Sequence, residues 1–153
     1  MPKLLQHTHQ NIDLFYTDEI KEERQLYSEM EKEIACWTIV KHFIEDNPKY
    51  NEIVKNYSKE KNLEKIAILS AHGENIKDSW YYFNEDSGSP IQKWINKMDG
   101  KYNALILDVC NPGYNEILSE KSIVLHPEGE ISNITLARGE VPIRLFLPNS
   151  GYI

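Results

Sequence analysis

Three short apolar segments in the second half of the chain constrain the fold most strongly. They are Ile66–Ser70, Tyr102–Cys110 and Ser122–His126. Continuous apolar runs of this length are typical of strands buried on both faces, as in parallel sheets. Between the first two lie apolar residues at helical spacing: Ile91, Trp94, Ile95 and Met98. Strands that alternate with helices predict an α/β domain with a mostly parallel sheet between layers of helices.

The first third of the chain carries a different pattern. Residues 10–16 alternate apolar and polar side chains, which favours a first strand. Thr17 or Asp18 then resembles the cap of a long amphipathic helix that ends at Asn47-Pro48. Its apolar face consists of Leu26, Met30, Ile34, Trp37, Val40 or Lys41, and Ile44. A weaker helix is expected from Pro48 to Tyr57.

Smaller elements complete the predicted fold. The aromatic segment Asp78–Asn84 predicts a strand, and Asp86–Pro90 predicts a turn with proline as the first helical residue. The helix that follows is expected to close at Gly100. The segments Ile131–Ala137 and Val141–Leu147 predict edge strands or a tail. With 153 residues, the chain is expected to form one domain, residues 1–153, arranged as a three-layer α/β sandwich.

Composition excludes several functional classes. No apolar run approaches the ~20 residues that span a membrane, and the amino terminus lacks a secretory signal pattern, so we expect a cytoplasmic protein without membrane contact. Two cysteines are too few for a disulfide scaffold. The net charge of −7 disfavours nucleic acid as a partner, because binding to phosphates needs a basic face. The one basic stretch, Lys55–Lys61, is expected to be a solvated helix end.

Two of the predicted buried strands end in residues capable of catalysis. The first runs into Ser70-Ala71-His72-Gly73, and the second runs into Asp108-Val109-Cys110 and the turn Asn111-Pro112-Gly113. If these strands are parallel neighbours, His72 and Cys110 emerge at the same edge of the sheet. Neighbouring strands lie about 4.8 Å apart, so side chains at their ends could meet. An imidazole beside a thiol can accept its proton and leave a nucleophilic thiolate. Glycines after both residues leave backbone N–H groups open toward a substrate carbonyl.

At these residues the sequence resembles the caspase-like cysteine peptidases, which include caspases, metacaspases and the bacterial CHAT domains. The metacaspase branch carries a Ser-Gly-His-Gly block and an Asp-Ser-Cys-His-Ser-Gly block. The resemblance covers residues of about 60–125 and implies a caspase-like thiol protease, a hydrolase without cofactor. It implies His72 as general base, Cys110 as nucleophile and the N–H of Gly73 as oxyanion donor. Asp108 would bind a Lys or Arg P1 side chain of a peptide or protein substrate.

The sequence departs from the metacaspase pattern beside both proposed catalytic residues. Ala71 replaces the glycine before the histidine, and Asn111-Pro112 replaces the polar pair after the cysteine. The chain is also short beyond Cys110 for such an enzyme. An inactive relative, or a domain completed by a protein partner, therefore stays open. Cleavage after aspartate is not implied, because it needs basic residues in the substrate pocket; Arg138 and Arg144 lie in the general region of the chain for such residues, but the sequence does not place them in a pocket.

Other functions remain as alternatives. An α/β interaction module would present exposed aromatic side chains such as Trp80, Tyr81 and Tyr82 to a protein partner. A small-molecule hydrolase would use the same two residues, His72 and Cys110. No glycine-rich phosphate loop or dinucleotide motif is present, so no cofactor is expected.

Two further motifs have simpler interpretations. His7 and His9, with Asp13 as a third ligand, could hold a metal, but we interpret them as part of a frayed, solvated terminus, and no metal is expected. Cys36 is interpreted as helix packing, and Asn133-Ile134-Thr135 as a chance glycosylation motif.

Overall fold

The computed structural model describes residues 2–9, 12–23, 65–113, 117–128, 143–148 and 151–152. The strands are β1 Leu5–His9, β2 Ile12–Tyr16, β3 Ile66–Ile76, β4 Ser79–Asn84, β5 Ser87–Pro90, β6 Ala104–Val109, β7 Ile123–Pro127, β8 Ile143–Leu147 and β9 Gly151–Tyr152; the helices are α1 Asp18–Glu23 and α2 Ile91–Met98. Several predicted features lie outside the described residues: the apolar face beyond Glu23, Cys36, the 48–57 helix, Lys55–Lys61, Ile131–Ala137, the Asn133 motif and Arg138.

The protein is an α/β protein with a mixed sheet in the order β1-β2-β3-β6-β7-β8-β9. The four strands from β2 to β7 in this order are parallel to one another, as the apolar runs predict. The flanking strands β1, β8 and β9 pair antiparallel, so the expectation of a mostly parallel sheet holds only for its centre. Two residues separate β1 from β2, which suffices for a hairpin and is far too short for a parallel crossover.

The amino terminus is a strand and not a frayed end. Residues Leu5–His9 pair along their whole length with β2, from Leu5 opposite Tyr16 to His9 opposite Ile12. The pairing aligns Thr8 with Asp13, whose carboxylate accepts a hydrogen bond of 2.7 Å from the threonine hydroxyl. Asp13 also accepts a 2.6 Å hydrogen bond from Tyr102, which ties this edge to the loop before β6.

The predicted helix between the two site-bearing strands is confirmed. Four side chains of α2 are buried against one face of the sheet: Ile91, Trp94, Ile95 and Met98. This core also contains Leu69, Leu107 and Val109 from β3 and β6. The helix therefore covers one face of the central strands.

The segment before α2 differs from its prediction. Residues Ser87–Pro90 form β5 and pair with β4, where the sequence predicts only a turn and a helix cap. Pro90 caps the helix with an extended backbone, at ψ 133°, and is not its first helical residue. Pairing with the well-packed β4 overrides the weak strand preference of serine, glycine and proline.

The strand β3 is longer than its apolar run predicts. Ser70, opposite Tyr16, is the last residue of β3 that pairs with β2. Beyond it, β3 continues to Ile76 and pairs antiparallel with β4. Lys77 and Asp78 connect the two strands with φ of 50° and 64°, which is the geometry of a tight type I′ hairpin. This hairpin places residues 72–76 alongside the loop that follows β6.

Candidate functional site

The two site-bearing strands are parallel neighbours in register. The pairing of β3 with β6 ends at Ala71 opposite Val109. His72 comes next but lies within β3, where it pairs with Phe83 of β4, and not beyond the end of a strand as predicted; Cys110 is the first residue after β6. Both residues are half-buried, and Cys110 is present as a thiol. The condition that the sequence analysis set for a His72–Cys110 pair, adjacent parallel strands, is therefore met.

Side chains alternate between the two faces of these strands. Ala71 and Val109 belong to the core beneath α2. Ser70 and Asp108 point to the opposite face, where the serine hydroxyl donates a 3.0 Å hydrogen bond to the carboxylate. His72 follows Ser70 by two residues within β3, so the alternation assigns it to that same face. We expect the same face for Cys110, which follows Asp108 by two residues and is the first residue beyond β6.

Asp108 is enclosed, with an exposed fraction of 0%. Its hydrogen-bond donor Ser70 is 2% exposed, so this carboxylate is bonded within the protein and away from solvent. A substrate side chain reaches Asp108 only if its enclosure opens.

Gly73 lies directly against Cys110. A Cβ atom added at Gly73 would lie 2.3 Å from the carbonyl oxygen of Cys110 and 2.4 Å from Cγ1 of Val109. Real Cβ contacts are essentially never shorter than 3.0 Å, so only glycine permits this approach at position 73. The backbone after His72 and the backbone after β6 are thus packed together.

The backbone N–H of Gly73 points toward the Cys110 loop. The residues flanking the two-residue turn, Ile76 and Ser79, form a hydrogen-bonded pair, and the pairs alternate back along the hairpin. Gly73 opposite Tyr82 is therefore a non-hydrogen-bonded pair, whose N–H and C=O point away from β4. Its carbonyl accordingly accepts a 3.0 Å hydrogen bond from Nδ2 of Asn111.

Three side chains hold the loop 110–113 on the hairpin. Nδ2 of Asn111 donates to Gly73, Nδ2 of Asn75 donates to the carbonyl of Pro112 at 3.2 Å, and Nε1 of Trp80 donates to the carbonyl of Cys110 at 2.9 Å. Asn111 has φ of 60°, a left-handed conformation that asparagine adopts more readily than most residues. Asn111, one of the residues that depart from the metacaspase pattern, is thus the residue that turns the chain after Cys110.

A buried polar cluster lies behind the indole of Trp80. The ring of His126 packs edge-on against Trp80, with centroids 5.2 Å apart. Its Nδ1–H donates to the carbonyl of Pro127 at 2.8 Å, and its Nε2 accepts a 2.7 Å hydrogen bond from the hydroxyl of Tyr152. The guanidinium of Arg144 lies 3.6 Å from the ring centroid of Tyr152.

His126 is neutral in this cluster at ordinary pH. Burial is the main cause that lowers the pKa of His126 to about 4, and the nearby charge of Arg144 lowers it further, against the opposing hydrogen bond to Pro127. The ring is 1% exposed and engages both nitrogens, so it is a structural group and does not meet the thiol.

Several residues of this site are not predicted by the sequence pattern. Asn75, Trp80 and His126 were not linked to Cys110, because only the path of the loop brings them there. The signal available for Asn111 was its position between a strand and a Pro-Gly turn, which is typical of left-handed asparagine. Trp80 and Tyr82, suggested as exposed partner contacts, are 5% and 0% exposed and belong to the core.

The described residues contain neither a cluster of metal ligands nor a membrane-spanning helix. Among them, no three His, Cys, Asp or Glu side chains are grouped so that they could hold a metal ion, and the carboxylate of Asp13 bonds Thr8 and Tyr102. None of the helices described has the length and apolar character to cross a membrane.

Comparison with family models, curated proteins and solved structures finds no match to the chain. What the molecule presents is an α/β sheet in which a histidine and a cysteine directly follow the last paired residues of two neighbouring parallel strands.

Proposed function

We propose that this protein is a caspase-like cysteine peptidase in which Cys110 is the nucleophile and His72 is the general base. The observation that carries the proposal is the register of β3 and β6, which makes His72 and Cys110 the next residues after a paired position on neighbouring parallel strands. Neighbouring strands lie about 4.8 Å apart, a separation that two side chains on one face can bridge.

The proposed reaction begins with transfer of the Cys110 thiol proton to the imidazole of His72. The thiolate attacks a peptide carbonyl, and the carbonyl electron pair moves onto oxygen. When this intermediate collapses, the C–N bond breaks and the imidazolium gives its proton to the leaving amine. A water molecule, deprotonated by His72, then hydrolyses the thioester and restores the thiol.

The N–H of Gly73 is the proposed donor to the developing oxyanion. It points to the side of β3 on which the Cys110 loop lies, and the two backbones are in contact. Donors already oriented at the site of charge development stabilise the transition state strongly, and removal of one such donor typically costs about 10²–10³ in kcat.

The three-layer caspase-like arrangement is part of the same proposal. It is supported by the parallel centre of the sheet and by the β4–β5 hairpin and α2 between the two site-bearing strands. The proposed preference for Lys or Arg at P1 rests on Asp108 and the resemblance alone. Because Asp108 is enclosed, that preference is tested separately from the reaction.

The test is hydrolysis of a fluorogenic peptide panel with Arg, Lys, Asp or an uncharged residue at P1. The wild-type protein is compared with Cys110→Ala, His72→Ala and Cys36→Ala, the last being the control for the other thiol. We expect cleavage in the wild type and Cys36→Ala, and its loss in the two site variants.

Three other outcomes have defined meanings. Cleavage that survives Cys110→Ala, or no cleavage of any peptide, contradicts the peptidase proposal. If the protein hydrolyses small esters but no peptide, and Cys110→Ala loses that activity, the protein is the small-molecule hydrolase instead. Cleavage without preference for Lys or Arg rejects only the role of Asp108.

A further inference from the structure

The carbonyl group of Cys110 is held by a side chain from a different part of the sheet. Nε1 of Trp80, on β4, donates a 2.9 Å hydrogen bond to this carbonyl oxygen. We propose that Trp80 is a positioning residue for Cys110, and that His126 and Tyr152 hold its indole in place. This inference rests on the proposed function, because it concerns the reactivity of the same thiol.

The hydrogen bond fixes the peptide plane that follows the nucleophile. The carbonyl oxygen of Cys110 is confined on one side by Gly73, where no side chain fits. The next residue, Asn111, is confined by its own hydrogen bond to the Gly73 carbonyl. With the donor from Trp80, the backbone on the carboxyl side of Cys110 is held from β3 and β4, and this sets the direction in which its Cα–Cβ bond points.

The indole of Trp80 is in turn held by residues of β7 and β9, which lie beyond β6 in the sheet. Trp80 is 5% exposed and packs edge-on against His126, which connects β7 to the hydroxyl of Tyr152 on β9. That hydroxyl also accepts a 3.4 Å hydrogen bond from the N–H of Ile117. The strands β7 and β9 therefore support the nucleophile through one ring contact and one hydrogen bond.

The chain offers a matched control for Trp80. Trp94 is also buried in the same core, at 1% exposed, but its indole nitrogen has no hydrogen-bond partner. Replacing either tryptophan by phenylalanine keeps an aromatic ring and removes one N–H group. Only Trp80→Phe removes a donor to Cys110.

The experiment measures carbamidomethylation of Cys110 at pH 6 by mass spectrometry, together with kcat and KM on the best peptide. We expect Trp80→Phe to lower the labelling rate and kcat about tenfold or more with KM within about twofold, because small displacements of a reacting group are costly. Trp94→Phe should stay within about twofold of wild type in both rates.

A second pair of variants covers the case in which Trp80→Phe fails to fold. Tyr152→Phe removes the hydroxyl that bonds His126, and Tyr102→Phe removes a hydroxyl that bonds Asp13 at the other end of β6. We expect slower labelling of Cys110 in Tyr152→Phe and wild-type labelling in Tyr102→Phe.

Two results would overturn the inference in distinguishable ways. Equal labelling and kcat in Trp80→Phe and Trp94→Phe, with an active wild type, reject the positioning role and leave the peptidase intact. A wild-type protein with neither peptide hydrolysis nor a thiol reactive at pH 6 rejects the proposed function, and the positioning role with it.

Discussion

The backbone of Cys110 and the α-carbon of Gly73 are in contact, with no room between them for a methyl group. A Cβ atom at position 73 would lie 2.3 Å from the Cys110 carbonyl oxygen, a backbone atom that cannot move without the whole loop. The chain after the candidate base therefore determines where the chain carrying the candidate nucleophile can lie.

Gly73→Ala is expected to displace the loop 110–113. Overpacking of this kind costs about 1–3 kcal/mol in the free energy of unfolding, measured by urea denaturation, and it should also slow labelling of Cys110. Gly88→Ala is the control, because its Cβ would meet the side chain of Phe83, 2.4 Å away, on the hairpin and not the loop. Wild-type labelling in Gly73→Ala would mean that the contact does not position Cys110.

Substitutions at Asn111 separate backbone strain from the side-chain hydrogen bond. Asn111→Ala loses the hydrogen bond to Gly73 and places alanine, which tolerates the left-handed region less well than asparagine, at φ of 60°. We therefore expect the free energy of unfolding to fall by about 1–2 kcal/mol. Asn111→Gly loses the bond but relieves the strain, and should be less destabilised. Equal unfolding free energies for the two variants would show that the left-handed conformation carries no cost.

The buried His126 predicts a loss of stability in mild acid. The pKa of His126 is about 4 in the folded protein and about 6.5 in the unfolded chain. As pH falls below 6.5, the unfolded chain therefore takes up a proton at His126 that the folded protein does not, and the free energy of unfolding decreases until pH reaches about 4. The full difference amounts to about 3 kcal/mol. Urea unfolding between pH 7 and 4 should show this slope in the wild type and a flatter one in His126→Gln. Parallel slopes would contradict the assignment to His126.

Asp99 predicts a separate loss of stability in stronger acid. Burial alone would raise the pKa of Asp99, but hydrogen bonds from the backbone N–H groups of Glu120, Lys121 and Ser122 outweigh it and lower the pKa below 3.8. Its contribution is therefore present above pH 3.8 and is lost as pH falls further.

Asp99→Ala should lower the unfolding free energy at pH 7 by about 1.5–3 kcal/mol, because three N–H groups lose a charged acceptor. The deficit should shrink between pH 4 and 2, as urea denaturation can measure. Asp86→Ala, at an exposed turn position, is the control. A deficit at Asp99 that is independent of pH would reject the role of the charge.

The parts of the fold that could be predicted are those whose side chains carry a strong periodic signal. The apolar runs at Ile66 and Tyr102 are buried strands, and the helical spacing from Ile91 to Met98 is a helix. The strand β5 could not be predicted, because Ser87–Pro90 has the composition of a turn and becomes a strand only by pairing with β4.

The same distinction holds within the candidate site. The parallel pairing of β3 with β6 could be predicted from the two apolar runs, and it places His72 and Cys110 next after the last paired residues, Ala71 and Val109. The hydrogen bond from Trp80 to Cys110 depends on the extension of β3 to Ile76, on the hairpin and on the left-handed turn at Asn111. The extension of β3 and its hairpin are set by tertiary contacts, whereas the left-handed turn has a local signal in the asparagine that precedes Pro112-Gly113.

The central claim, a thiolate generated at Cys110 by His72, is tested most directly by the pH dependence of alkylation of the native protein with iodoacetamide. Mass spectrometry assigns the label to Cys110 or Cys36 from pH 5 to 9. The account predicts rapid labelling of Cys110 already at pH 6 and, in His72→Ala, a slow rate that rises only near pH 8–9, as for an ordinary thiol. The same ordinary profile in the wild type, or one unchanged in His72→Ala, would contradict it.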